Sequence, residues 1–208
     1  DGDGARARGV LLAQYLGGAS VAWLIDRVVA PAMRSIGELW NHAAEGIYVE
    51  HRATDICSQA LQRLRGFAPP ADGQPAAVGG APEDDPYTLP SLMAASVLAS
   101  EGWAETNLGG RTPVASLARA AANGNARLVW VACSTQGGAT QLAPMLQALT
   151  RQLREAGSDA GVIAGGPALA GINAPTVAGV TYAGSMAELA AFARGLRTAR
   201  GLPAGPAD

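Results

Sequence analysis

Three groups of residues in this 208-residue chain have types and spacings that could do chemistry. The first is Trp40, followed ten positions later by Glu50-His51 inside Val49-Glu50-His51-Arg52-Ala53-Thr54. His51 is a candidate metal ligand, because a neutral imidazole binds metals readily. The second is Asp85-Pro86-Tyr87-Thr88-Leu89-Pro90. The third is a set of glycine pairs, Gly109-Gly110, Gly137-Gly138 and Gly165-Gly166, each placed just after a segment that reads as a strand. Such pairs let a backbone approach a flat or phosphate-bearing ligand closely, although a tight turn explains them more simply. Read alone, the first group is ordinary amphipathic helix, with Trp40 in a core and Glu50-His51 as a solvated pair. His42 and His51 lie nine positions apart. On one continuous helix they point to opposite faces, which argues against a shared metal. No Walker loop, G-x-S-x-G, C-x-x-C or H-E-x-x-H is present.

Two kinds of element must position these groups. Leu11, Leu12, Tyr15 and Leu16 fall at helical spacing, and Ser20 caps a second helix carrying Trp23, Leu24, Val28 and Val29. Pro31 predicts a break or kink, after which Met33, Ile36, Leu39 and Trp40 continue the apolar stripe. Gly46 restarts a helix that turns Ile47, Val49, Ala53, Ile56, Ala60, Leu61 and Leu64 to a core. No strand-like alternation precedes residue 70, so residues 1–68 read as a small helical bundle. Asp1-Gly2-Asp3-Gly4 reads as a frayed terminus, and Phe67 to Pro75 as a linker.

The rhythm then changes. Strands are predicted over 76–81, 104–108, 128–133, 161–164 and 179–183, and helices over 90–100, 113–122, 142–156 and 186–199. Strands alternating with helices of about ten or more residues indicate βαβ units and a parallel sheet. The expected fold is therefore α/β: an N-terminal helical bundle, a Rossmann-like domain over 76–200 and a tail at 201–208. Ligands of such sheets sit at the carboxyl ends of the strands, here 81–90, 109–112, 133–138, 165–168 and 182–185.

Composition narrows the classes. The chain is 49% hydrophobic and 15% charged, which suits a packed core and excludes a disordered chain. Its net charge is −2 and every basic residue is Arg, which argues against a nucleic-acid-binding face. The early apolar run from Val10 to Ile25 is interrupted by Gln14, Gly17, Gly18 and Ser20, so no membrane span is expected and a cytoplasmic protein is. Cys57 and Cys133 have no metal-ligand spacing and read as two buried thiols.

In combination, these motifs resemble the light-sensing cobalamin-binding modules of the CarH type and the related photocobilins, which bind cobalamin and a bilin. The resemblance covers about residues 20 to 195. It rests on Gly37-Glu38-Leu39-Trp40, the nine intervening residues and Glu50-His51, followed by Arg52-Ala53-Thr54 where a relative shows x-Ala-Ser. It implies a helical cap in which Trp40 covers the upper axial group of cobalamin and Glu50 and His51 line the upper face. It also implies a sheet domain that holds the lower face and tail. The family's D-x-H-x-x-G, whose His binds cobalt from below, falls on Asp85, Tyr87 and Pro90. Asp85 is kept and the His is Tyr87, whose phenol stays protonated at neutral pH and is a poor cobalt ligand. The tail-binding S-x-L falls near Ala132-Cys133-Ser134, leaving Ser134, Thr135 and Gln136 as polar contacts. Gly165-Gly166 matches the glycine pair where the tail enters, and Thr112 would face the ligand. Asn41 stands where the light sensors carry a His after the Trp.

The resemblance implies a non-enzymatic photosensory domain whose cofactor is cobalamin (adenosylcobalamin), biliverdin or both. Light would shift bundle against sandwich and alter a homo-oligomer or a tethered output domain. A bilin would draw on Trp23, Trp40, Tyr48, Tyr87, Arg27 and Arg52, with Cys57 able to form a thioether. Three other readings stand beside it. One is a corrinoid carrier subunit of a methyltransferase system. Another is a haem sensor using His51 or His42, and the last is a degenerate module that mediates association alone.

Overall fold

The computed structural model describes residues 3–40, 46–68, 73–170 and 173–202, without the side chains of 39, 40 and 136–139. The chain forms two compact units, residues 1–69 and residues 70–208.

The first unit is helical. Helix α1 (Gly4–Leu16) is capped by Asp3, whose carboxylate accepts the Arg6 N–H at 3.0 Å, so Asp3-Gly4 is a helix start and not a frayed end. Ser20 caps α2 (Val21–Leu24) by accepting the Trp23 N–H at 3.2 Å. Helix α3 (Ala30–Trp40) follows without the break that Pro31 predicts. A π-helical turn over Ile25–Val29 precedes it, and Ala30 donates to Ile25 O five residues back. A proline removes one intrahelical bond and crowds the preceding turn, and a widened turn there absorbs both. Helix α4 (Gly46–Arg65) packs on α1 and α3. Its buried stripe is Ile56, Ala60, Leu61 and Leu64, and Leu11, Leu24, Ile25 and Val29 are buried on the elements before it. Ile47 and Val49 were expected in that core, yet both are exposed, as are Tyr48 and Trp23. The apolar stripe of α4 is thus buried only over its second half.

The second unit is a five-stranded parallel sheet with helices on both faces. Its strands are β1 (Ala76–Gly80), β2 (Ala104–Asn107), β3 (Leu128–Ala132), β4 (Gly161–Gly165) and β5 (Val180–Ala183), in the order β2-β1-β3-β4-β5. The helices are α5 (Leu89–Ser100), α6 (Val114–Asn123), α7 (Gln136–Glu155) and α8 (Met186–Ala199). Period-two alternation sends Val78, Val129, Val131, Val162 and Ala164 into one core with Leu117 of α6 and Leu142, Leu146 and Leu149 of α7. The alternate residues face α5, which is apolar nearly all round and buried from Ser91 to Leu98. Helix α8 joins α5 through Arg197, whose guanidinium donates to Glu101 O and Gly102 O at 2.7 Å each and lies 6.0 Å from the Trp103 ring centre. Burial lowers the Arg197 pKa, and the Glu101 carboxylate counters this.

Helix α7 begins at Gln136, six residues earlier than predicted, because Gly137-Gly138 lies in its first turn and Pro144 is carried inside it. Among the described residues no helix is long and apolar enough to cross a membrane.

Candidate functional site

In a parallel sheet of this order, strand order reverses between β1 and β3, and the loops leaving those two strands flank a crevice at the carboxyl edge. Asp85, on the loop after β1, is completely buried there. Its Oδ1 accepts the Tyr87 N–H at 3.0 Å, and its Oδ2 accepts the N–H of Thr135 at 3.2 Å and that of Ser134 at shorter range. The Asp85 backbone carbonyl accepts the Arg111 N–H at 2.8 Å. One residue thus ties the β1 loop to the loops after β2 and β3. Three backbone donors compensate the burial of its charge.

The consequence for Tyr87 is direct. Its N–H is spent on Asp85 while its side chain stays about half exposed at 48%. Both histidines of the chain, His42 and His51, fall within residues 1–69, so the sheet unit supplies no imidazole.

Thr112 is buried, and its hydroxyl donates to Gly109 O at 3.2 Å while its N–H donates to Ala81 O at 3.0 Å. Ser134 is partly buried, and among the described residues its Oγ has no hydrogen-bond partner. Thr135 accepts the Cys133 thiol through its carbonyl at 3.8 Å. Burial first, and then the negative charge of Asp85, push the Cys133 thiol up to about 11.

The glycine pairs have structural explanations. A Cβ on Gly165 would sit 2.7 Å from Ala183 O, and one on Gly166, at φ +122°, would enter the Cys133 backbone. Gly109 has φ +79°, and a Cβ on Gly110 would meet Pro86 O at 2.8 Å. These residues let the edge loops pack on one another, as the simpler turn reading expects.

Sequence reasoning passed over a buried polar chain beneath the same edge. Trp130 of β3 donates through Nε1 to Ser91 Oγ at 3.0 Å, and Ser91 donates to Asn107 Oδ1 at 2.7 Å. Asn107 Oδ1 also accepts the Gly109 N–H at 3.1 Å. The Trp130 indole lies across Gly79, where no Cβ would fit. The available signals were a serine inside the apolar α5 run and a Trp in a strand beside the bare Gly79-Gly80. On the opposite face of the edge, a hollow of about 300 Å³ is lined by Pro82, Glu83, Asp84, Val114, Gln141, Pro144 and Met145.

In the helical unit, Glu50 accepts the Thr54 hydroxyl at 2.9 Å, and His51 Nε2 lies 3.6 Å from the Glu50 carboxylate. The His51 side chain is 75% exposed against 25% for Glu50. Trp40 ends α3, but its side chain lies outside the described residues, as do Asn41 and His42 entirely. Among the described residues no group of three or more His, Cys, Asp or Glu could hold a metal ion. Cys57 is partly buried 3.9 Å from the Met33 sulfur, and burial raises its pKa, which works against thioether formation.

No curated protein matches the chain in sequence. The monomethylamine corrinoid protein of Methanosarcina barkeri superposes with a TM-score of 0.61 at 16% identity, over 92% of this chain and 91% of that one. The methanol:cobalamin methyltransferase complex of Methanosarcina barkeri superposes with a TM-score of 0.52 at 15% identity, over 95% of this chain and 75% of that one. At these identities the likeness is one of fold. In sequence, residues 1–65 match the family model described as B12 binding domain.

Proposed function

We propose that the chain is a corrinoid-binding module that signals light, with no protein imidazole offered to cobalt from its sheet unit. The observation that carries this reading is Asp85-Pro86-Tyr87 at the carboxyl end of β1. The loop and its buried aspartate are in place, but the carboxylate is used on backbone N–H groups and the third residue is a half-exposed phenol. The match of residues 1–65 to the B12 binding domain supports the ligand class. The parallel sheet, with its order reversal beside Asp85, supports the place. The spacing of Trp40 and Glu50-His51 supports sensing over transfer. A bound cobalamin would supply a light-labile cobalt–carbon bond. The sheet unit would supply the braced frame around Asp85.

A second reading, a corrinoid carrier for a methyltransferase, is favoured by the two similar structures, a corrinoid protein and a methyltransferase complex. One experiment separates the two. The protein is loaded in the dark with adenosylcobalamin or biliverdin, desalted, and its absorption recorded before and after blue, green and red light. The sensor reading expects a retained cobalamin whose photoproduct spectrum differs from that of the free cofactor and whose illumination changes the oligomeric state of the protein on size exclusion. Retained cobalamin whose light response matches that of the free cofactor, together with methyl transfer to a partner, selects the carrier. A retained red band that photoconverts assigns the site to a bilin. If neither pigment is retained, the corrinoid reading is lost.

A further inference from the structure

We propose that the sheet unit recognises a corrinoid by its ring alone and gives no berth to the nucleotide arm. This rests on the corrinoid reading above and narrows its ligand class to a tetrapyrrole macrocycle, with or without an arm left in solvent.

The arm of a cobalamin ends in a flat bicyclic base and carries a phosphodiester. To bury it at the carboxyl edge, the unit needs a slot beside β1 and β3 on one of the two faces of the sheet. On the α5 face that volume is filled by the chain itself. The Trp130 indole, a bicycle of the same size as a benzimidazole, lies across Gly79 so closely that no methyl group fits between them. Its N–H is held by Ser91, and Ser91 by Asn107, with the whole group tied to the Gly109 backbone. Ser91, Ala95 and Val97 of α5 are completely buried, and the indole itself is only 2% exposed. Opening the slot would break three hydrogen bonds and strand buried polar groups.

The α6/α7 face has room, but of the wrong charge. The hollow of about 300 Å³ is bordered by Glu83 and Asp84, both exposed, over the apolar Val114, Pro144 and Met145. Two carboxylates repel a phosphodiester. Nor does the unit hold an imidazole that could replace the nucleotide base on the metal, since residues 70–208 contain no His.

The test is a titration of the full chain with hydroxocobalamin and with diaquacobinamide, the corrinoid that lacks the nucleotide arm. The dissociation constants are expected to agree within about fivefold, or to favour cobinamide. Cobalamin binding tighter by more than about fivefold overturns the proposal while leaving the corrinoid reading intact. Binding of neither corrinoid removes both. Trp130→Ala, checked for its fold by circular dichroism, is expected to shift the ratio toward cobalamin by emptying the slot. An unchanged ratio in the folded variant overturns the assignment of that slot to Trp130. Should the variant not fold, the comparison on the unmodified chain decides alone.

Discussion

The Asp85 carboxylate accepts the backbone N–H of Thr135 at 3.2 Å, joining the loops that leave β1 and β3 at the point where strand order reverses. The two residues are fifty positions apart, and the same oxygen also takes the Ser134 N–H. A buried carboxylate with several N–H partners serves as a cross-link between loops that would otherwise be free to spread. The carboxyl edge is therefore a braced frame before any ligand arrives.

Asp85→Ala is expected to destabilise the sheet unit by about 3 kcal/mol, because three N–H groups lose their acceptor in a site closed to water. Asp85→Asn keeps one acceptor oxygen and is expected to cost about half as much. Urea unfolding followed by tryptophan emission, in a background with Trp23 and Trp40 replaced by Phe so that Trp103 and Trp130 report, measures both. A change for Asp85→Ala of less than about 0.5 kcal/mol would show that the carboxylate braces nothing.

Gly166→Ala is expected to abolish stable folding, since its Cβ enters the Cys133 backbone at a φ of +122°. Gly195→Ala is the control: the residue sits in α8 with nothing within 4 Å of an added methyl, and the change is expected to stabilise by about 0.5–1 kcal/mol. If Gly166→Ala folds normally and loses only ligand binding, the glycine serves a ligand and not the packing of the loops.

How much of this was legible follows from what each feature depends on. The parallel sheet was readable because Leu128 to Cys133 and Gly161 to Ala164 are apolar runs of strand length separated by helical patterns, as strands covered on both faces are. The start of α7 was not, because Gly137-Gly138 has a loop's composition and its helical state depends on the surrounding structure. Asp85 was legible as a site residue, but its three donors come from the neighbouring Tyr87 and from positions fifty residues away, so its bracing role was not. Ser91 and Trp130 belong to two elements that meet only in three dimensions, and no local pattern couples them.

The Cys133 thiol gives the unit a pH dependence of defined sign. Its folded value, about 11, lies above its ordinary value of 9.0. Between those values the unfolded chain loses the proton while the folded one keeps it. Stability is thus full below about pH 9 and falls as pH rises toward 11. Cys133→Ala is expected to flatten that decline. Urea midpoints at pH 8 and pH 10.5 compare the two proteins, and equal losses in both would mean that Cys133 titrates alike folded and unfolded.

On the corrinoid-sensor reading, Trp40→Ala is expected to leave the helical unit folded and to weaken ligand retention by about tenfold, the effect of losing one aromatic contact worth about 1.4 kcal/mol. Retention of adenosylcobalamin through desalting is the readout, with circular dichroism reporting the fold. Unchanged retention and an unchanged light response in the variant would remove Trp40 from the site.

Trp130 and Ser91 share a buried hydrogen bond whose energy is measurable. Ser91→Ala leaves an indole N–H and the Asn107 carbonyl oxygen buried without that hydroxyl, and about 1–3 kcal/mol should be lost. Trp130→Phe removes the donor and part of the ring that covers Gly79, so it combines a lost bond with a small cavity. In the double variant the hydroxyl and the indole N–H disappear together, and the second loss should be smaller than the first. A double-mutant cycle on unfolding free energies is therefore expected to give a coupling of about 1 kcal/mol. Strict additivity would mean that Ser91 and Trp130 do not share a bond in solution. The filled slot on the α5 face would then lack its anchor, and the preference for a corrinoid without its arm would have to come from Glu83 and Asp84 alone.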